Sequence, residues 1–240
     1  MTGRLDKIIS ALALLTRSEA QAAIRGGRAV VDGEICRDCA KKTDTESHEV
    51  TLDGMRLAGD GYIYIVMNKP RGVLSATRDG RERVVTDLLP EEYARAGLSI
   101  AGRLDKDSHG LVLLTDNGEL CHRIISPRHK EEKIYRVELD LPADGEDAAA
   151  FAAGMDLGDF ISMPARLEPD GRDARICTVT LREGKYHQIK RMFAARGKTV
   201  TDLQRLRIGR LTLETIEREG MWRRLTQEEA EKLKADVKIM

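Results

Sequence analysis

Four cysteines in 240 residues are too few and too scattered for a disulfide scaffold. Cys36 and Cys39 form one Cys-x-x-Cys, but Cys121 and Cys177 supply no second pair at zinc-ribbon spacing. His48 is the one histidine close downstream, so the donor set of a tetrahedral zinc site is incomplete and no metal is expected. No apolar run approaches the length that spans a bilayer and no signal-peptide pattern opens the chain. A cytoplasmic protein without a membrane partner is expected. Net charge is missing too, because 40 basic residues cancel 40 acidic ones.

That cancellation is uneven. From Arg182 to Arg210 nine basic residues face two acidic ones, and from Val137 to Asp159 there are seven acids and no lysine or arginine. The first 42 residues are basic as well, eight against five. A neutral total with segregated charge is the pattern of a polyanion-binding face. With 41% hydrophobic residues the chain can bury a real core, in two domains of unequal size.

The first 55 residues form a small unit. Leu5, Ile8, Ile9, Leu12 and Leu15 recur at helical spacing, and Thr16-Arg17-Ser18-Glu19 has the form of a capping box. A second helix runs through Ile24 to Gly26-Gly27, and Asp32-Gly33 turns a hairpin between Val30-Val31 and Glu34-Ile35. Arg4-Leu5-Asp6-Lys7, Ser18-Glu19-Ala20, Ile24-Arg25-Gly26-Gly27-Arg28-Ala29 and Val30-Val31-Asp32-Gly33 make this unit similar to an S4 (α-L) domain, an RNA-binding module. The resemblance spans the unit and implies a ligand class, with Arg4, Lys7, Arg25 and Arg28 as contacts. A linker of small and polar residues around Asp53-Gly54 and Ala58-Gly61 suggests domains at 1–59 and 60–240.

Beyond the linker the elements alternate without regular βαβ units. Strands are expected at Tyr62–Met67, Leu98–Ala101, Leu111–Thr115, Lys133–Leu139, Ile176–Leu181 and Val200–Ile208, and helices at 84–89, 117–125, 148–154 and 186–195. A capping box at Thr226-Gln227-Glu228-Glu229 starts a terminal helix. The fold class is α+β, with a mainly antiparallel mixed sheet flanked by helices.

The chemistry concentrates in Gly102-Arg103-Leu104-Asp105-Lys106-Asp107-Ser108-His109-Gly110, a polar loop held between two buried strands. Such a loop presents a carboxylate rigidly, although Asp105 and Asp107 on spacing alone read equally as turn residues. Three elements join it: Tyr135 at a strand start, the cationic turn Asn68-Lys69-Pro70-Arg71-Gly72, and Glu183-Gly184-Lys185-Tyr186-His187-Gln188-Ile189-Lys190-Arg191 opening a helix. On that helix Lys190, His187 and Tyr186 share a face, while Ile189, Met192 and Phe193 take the core side.

Gly102-Arg103-Leu104-Asp105, the Tyr135 strand and His187-Gln188-Ile189-Lys190 resemble the signature motifs of the RsuA/Rlu superfamily of pseudouridine synthases, which pairs an N-terminal S4 domain with this catalytic domain. Ser126-Pro127-Arg128-His129 and Lys185-Tyr186-His187-Gln188 are similar to its small-subunit branch. The resemblance implies isomerisation of a uridine in 16S ribosomal RNA, of the uridine-516 type, free or within an assembling small subunit. It assigns Asp105 as catalytic aspartate, Tyr135 as active-site aromatic and Lys190 as basic partner. Lys69, Arg103, Lys185, His187 and Arg191 are expected RNA contacts. The reaction is redox-neutral and loses no atoms, so no cofactor is expected, and the chain is expected to act as a monomer.

The alternatives are a synthase acting on 23S ribosomal RNA, a non-enzymatic RNA-binding assembly factor, and a hydrolase of ribosyl bonds. An ionised carboxylate suits the isomerisation because breaking C1′–N1 builds positive character on the sugar, and a cation such as Lys190 favours the ionised form. Whether Asp105 attacks the sugar, adds to the base or removes a 2′ proton stays open.

Overall fold

A computed structural model describes residues 1–94, 96–126 and 131–239; of the Ser126-Pro127-Arg128-His129 stretch, Pro127, Arg128 and His129 lie outside the described residues. The N-terminal unit contains β1 (Thr2–Arg4), α1 (Leu5–Leu12), α2 (Arg17–Arg25), β2 (Ala29–Val31), β3 (Glu34–Ile35), β4 (Lys42–Asp44), β5 (Val50–Leu52) and β6 (Met55–Leu57). Leu5 and Ile9 lie one turn apart on α1 and pack on Ala20, Ala23 and Ile24 of α2 and on Ala29, Val31, Val50 and Leu52 of the sheet β3-β2-β5-β6. Leu15 lies past the end of α1, because Leu14 turns left-handed at φ 57°. The capping box forms in both directions, with Glu19 N donating to Thr16 Oγ1 at 3.2 Å and Thr16 N donating to Glu19 Oε2 at 2.7 Å. Asp32 and Gly33 both take positive φ, the hairpin turn that the Asp-Gly pair favours.

Asp6 is the buried polar centre of this unit. Its side chain is fully buried and accepts from Arg4 Nη2 at 3.0 Å, Arg17 Nη2 at 2.9 Å and Gln21 Nε2 at 2.9 Å. The Arg4 hydrogen bond, joined by those from Arg17 and Gln21, overcomes burial and holds the carboxyl far below the usual carboxylate range.

The larger unit is built on a nine-stranded sheet of β7 (Tyr64–Lys69), β8 (Ser99–Ala101), β9 (His109–Thr115), β10 (Lys133–Leu139), β11 (Arg166–Pro169), β12 (Ile176–Leu181), β13 (Val200–Ile208), β14 (Leu211–Thr212) and β15 (Trp222–Arg224). Its order is β11-β12-β10-β13-β9-β7-β15, with β8 on β9 and β14 on β13. Among these pairings β9–β13 is parallel and the others are antiparallel. The helices are α3 (Glu91–Ala94), α4 (Gly118–Ile125), α5 (Gly145–Ala153), α6 (Gln188–Ala195) and α7 (Gln227–Asp236). The expected helix at 84–89 is a 3₁₀ turn at Val85–Leu88. α5 begins earlier than expected, because the Asp144–Asp147 capping box starts it at Gly145.

Both faces of the sheet's middle are covered. Ile65, Met67, Val112 and Leu114 point into one core with α6, while Tyr64, Val66, Leu111 and Leu113 point into a second core with α4 and α7. This explains why β7 and β9 are buried at every position, with unbroken apolar stretches at 64–67 and 111–114 rather than alternation. β10 alternates instead, buried on one side. Where β9 meets β13, Gly110 stands opposite Arg205, and a Cβ on Gly110 would lie 2.4 Å from the Arg205 carbonyl oxygen. Only glycine permits that approach. The loop 102–108 therefore emerges directly over β13.

Replacing Asp6 by alanine leaves Arg4 and Arg17 without their shared acceptor, and should lower the stability of the N-terminal unit by about 2–3 kcal/mol. Because the Asp6 pKa is depressed in the fold, its contribution is complete at neutral pH and is lost as pH falls below the unfolded value of 3.8. Thermal melts of wild type and Asp6→Ala should therefore converge as pH drops below about 4. A gap that persists on acidification would contradict this assignment.

Candidate active site

Two cations hold the loop 102–108 from beneath. Lys69 ends β7 and is fully buried; its Nζ donates to the carbonyls of Ser108 at 2.7 Å, Pro70 at 3.0 Å and Lys106 at 3.5 Å. Arg205 is equally buried in β13, and donates to the carbonyls of Gly102 at 2.6 Å, Leu111 at 2.7 Å and Arg103 at 3.3 Å. Neither cation has a carboxylate within salt-bridge distance among the described residues. Burial pushes the Lys69 ammonium down to about 8, while the charges of Asp107 and Asp105 oppose that fall. Ser75 Oγ accepts from Leu104 N at 3.0 Å and donates to the Leu104 carbonyl at 2.7 Å, Gly72 N donates to the Lys106 carbonyl at 2.8 Å, and Ser108 N donates to the Asp105 carbonyl at 3.2 Å.

On the loop's outer side Asp105 presents a carboxylate whose side chain is 26% exposed. Lys190 Nζ lies 3.1 Å from Asp105 Oδ2 and 2.6 Å from Asp107 Oδ1, and His187 Nε2 lies 3.4 Å from Asp105 Oδ1. Burial works against the Lys190 charge, but hydrogen bonds to Asp107 and Asp105 outweigh it and raise the ammonium's pKa. The same bond from Lys190 lowers the Asp107 pKa.

The helix carrying Lys190 starts later than the spacing suggests. α6 begins at Gln188, with His187 left-handed at φ 49° before it and Tyr186 in the turn, so the three do not share one helical face. The turn is fixed by side chains: Gln188 Nε2 donates to Glu183 Oε1 at 2.7 Å, Lys185 N donates to Gln188 Oε1 at 3.1 Å, and Glu183 also accepts from Met163 N at 2.7 Å. Ile189, Met192 and Phe193 are buried as expected.

Asp105 and Tyr135 line one narrow cavity of about 80 Å³ with Arg103, Ser108, Lys185 and His187. The Tyr135 ring is buried, with the Arg205 guanidinium carbon 6.0 Å from its centroid. Ser108 Oγ is buried there without a hydrogen-bond partner among the described residues. A wider hollow of about 470 Å³ shares Asp105 and His187 and is rimmed by Arg71, Gly72, Lys106 and Asp107. Arg71 is steadied by Asp202 at 2.5 Å, Glu219 at 2.6 Å and His109 Nε2 at 2.7 Å.

The structure places the expected RNA contacts in different surroundings. Lys69 is buried beneath the loop and offers no surface to a phosphate. Arg191 is bound to Asp159 and to the Leu157 carbonyl, Arg28 to Asp53 and Arg4 to Asp6. Lys7 and Arg25 are exposed and lack ion-pair partners among the described residues, as do Arg103 and Lys185. The acidic and basic stretches partly cancel in space, since Arg196 and Lys198 both reach Asp147 and Arg191 reaches Asp159. Ser108 and Arg71 stand in the quoted motifs without an assigned role, and Arg205 counts in the sequence only as one residue of the basic run.

The family model for RNA pseudouridylate synthase matches residues 63–195, and that for the S4 domain matches residues 3–43. The chain belongs to the RNA pseudouridine synthase family. Ribosomal small subunit pseudouridine synthase A of Escherichia coli is 44% identical over 230 residues, covering 94% of this chain and 97% of that one. The protein of the same name from Pseudomonas aeruginosa is 40% identical over 228 residues, covering 94% and 98%. A solved structure described as a pseudouridylate synthase superposes with a TM-score of 0.67 at 39% identity, over 96% of this chain and 99% of that one. The synthase is thus an isomerase with an S4 domain ahead of an α+β catalytic fold. Among its described residues no helix is long and apolar enough to cross a membrane.

If Lys69 works by gripping the loop, Lys69→Met should lower the rate at saturating RNA by roughly 10- to 100-fold while leaving RNA affinity unchanged. It should also cost about 1–3 kcal/mol of stability through the Ser108 and Pro70 carbonyls, which lose their Lys69 donor. Single-turnover kinetics and binding titrations separate the two effects; weakened binding with an unchanged rate would restore the phosphate-contact role.

Proposed function

We propose that this synthase converts one uridine of 16S ribosomal RNA to pseudouridine, with Asp105 as the group acting at the ribose. The observation that carries the reading is the Asp105 carboxylate at 3.1 Å from Lys190, on a clamped loop and in one cavity with Tyr135. The small-subunit names of the relatives from E. coli and P. aeruginosa support the choice of RNA, and a uridine of the 516 type is the expected target. Residues 1–59 hold RNA and residues 60–240 carry the chemistry, in one copy of the chain acting in the cytoplasm.

The reaction breaks C1′–N1, turns the uracil and joins C1′ to C5, after which the C5 proton leaves and N1 takes one up. Asp105 stabilises or captures the electron-poor C1′ as the glycosidic bond opens. Lys190 pairs with that carboxylate and divides its own charge with Asp107. Tyr135 supplies an aromatic wall for the everted base. Eversion costs a few kcal/mol and is cheapest in an RNA loop. Lys7 and Arg25 supply backbone contacts from the S4 domain.

Incubation of unmodified 16S and 23S ribosomal RNA with the protein, followed by site-resolved mapping, should give pseudouridine at a single 16S position. Asp105→Asn should slow formation by at least roughly 10³-fold. Product confined to 23S RNA, free uracil, or an undiminished Asp105→Asn rate would each overturn the reading. The double charge reversal Lys7→Glu, Arg25→Glu should weaken binding and flatten its salt dependence by about 0.7 in log–log slope per lost contact. In that variant the rate at saturating RNA should be unchanged.

A further inference from the structure

Tyr186 is 74% exposed, between Lys185 and His187, which both line the cavity that holds Asp105. One face of its ring is covered by the His187 imidazole, with centroids 3.8 Å apart and planes 17° from parallel. His187 in turn stands 3.4 Å from Asp105. Carboxylate, imidazole and phenol thus form a stair, and its stacked step is close to the rise of about 3.4 Å per nucleotide in a stacked strand. The Glu183–Gln188 bonds fix this turn, and His187 holds a left-handed backbone that a non-glycine residue adopts at a cost of about 1–3 kcal/mol. A side-chain pair held in that way is built for position.

We propose that the open face of Tyr186 stacks on the nucleobase next to the everted uridine, a subsite that rests on the uridine reading above. When the uridine leaves its stack, its neighbour loses one stacking face. An aromatic surface one ring away from Asp105 restores that contact, and base–aromatic stacking tolerates any base because each has a π face. Lys185, adjacent in sequence, is exposed and without an ion-pair partner among the described residues, so it suits the phosphate of the same nucleotide. Tyr62 is the other aromatic among the strongly exposed hydrophobic side chains of the described residues, and it lines a different hollow from the one that holds Asp105.

The test is a double-mutant cycle in binding, using full-length Asp105→Asn protein to prevent turnover and a 16S RNA fragment centred on the uridine mapped with wild type. An abasic site is introduced on one side of that uridine or the other. With Tyr186 present, one of the two abasic substitutions should weaken binding by roughly 5- to 100-fold. With Tyr186→Ala the intact fragment should bind that much more weakly, and the same abasic site should cost nothing further. Tyr186→Phe should behave as tyrosine, and unchanged melting of Tyr186→Ala excludes unfolding as the cause. Equal abasic costs with and without Tyr186, on both sides, overturn the subsite while leaving the uridine reading intact. Absence of pseudouridine from wild-type reactions overturns both.

Discussion

Two buried cations gripping the carbonyls of one loop are what the rest of this synthase depends on. Lys69 and Arg205 reach residues 102–108 from neighbouring strands on either side of β9, and each spends its donors on main-chain oxygens. Removing an ion from water costs several kcal/mol, so a cation without a carboxylate persists only where oriented dipoles replace its hydration. The carbonyls of Gly102, Arg103, Lys106, Ser108 and Leu111 do this. A seven-residue loop without regular structure thereby gains the rigidity of the sheet beneath it. The uncompensated positive charge also lies under Asp105 and Asp107, whose negative charges favour the protonated form of Lys69.

The parallel contact between β9 and β13 makes the grip possible. It sets Gly110 against Arg205, and the missing side chain at 110 lets the strands close enough for the guanidinium to pass under the loop. Above the loop the charge pattern is reversed: one half-buried ammonium, Lys190, sits between two carboxylates. The Glu183–Gln188 pair anchors the turn that brings His187 to the cavity, sets Tyr186 against its ring and precedes Lys190 beside Asp105. Local packing, strand register and chemistry are in this way consecutive consequences of a few buried polar contacts.

Much of this was legible in the chain. The Asp105 loop between β8 and β9, the S4 unit with its capping box and Asp-Gly hairpin, and the placing of Asp105 in one cavity with Tyr135 and in an ion pair with Lys190 follow from strand-like runs, cap residues and the quoted motifs. What escaped were properties of space rather than of spacing. Lys69 looks like a surface cation in a polar turn, but strand β7 carries it into the core. The basic run after Arg182 looks like an open positive face, but Arg191, Arg196 and Lys198 are met by Asp159 and Asp147 from the acidic run. His187 looked helical because its spacing to Lys190 is helical, yet the bonds of Glu183 and Gln188 hold it outside the helix in a left-handed conformation.

Amide hydrogen exchange at Leu104 and Ser108 tests the grip most directly, since these amides donate to Ser75 Oγ and to the Asp105 carbonyl only while the loop keeps its form. In Arg205→Met, exchange at both sites should accelerate by at least roughly 10-fold, while Val112 and Leu114 within β9 stay protected. Unchanged exchange at Leu104 and Ser108 would mean that the loop holds itself, and that the buried cations are not its support.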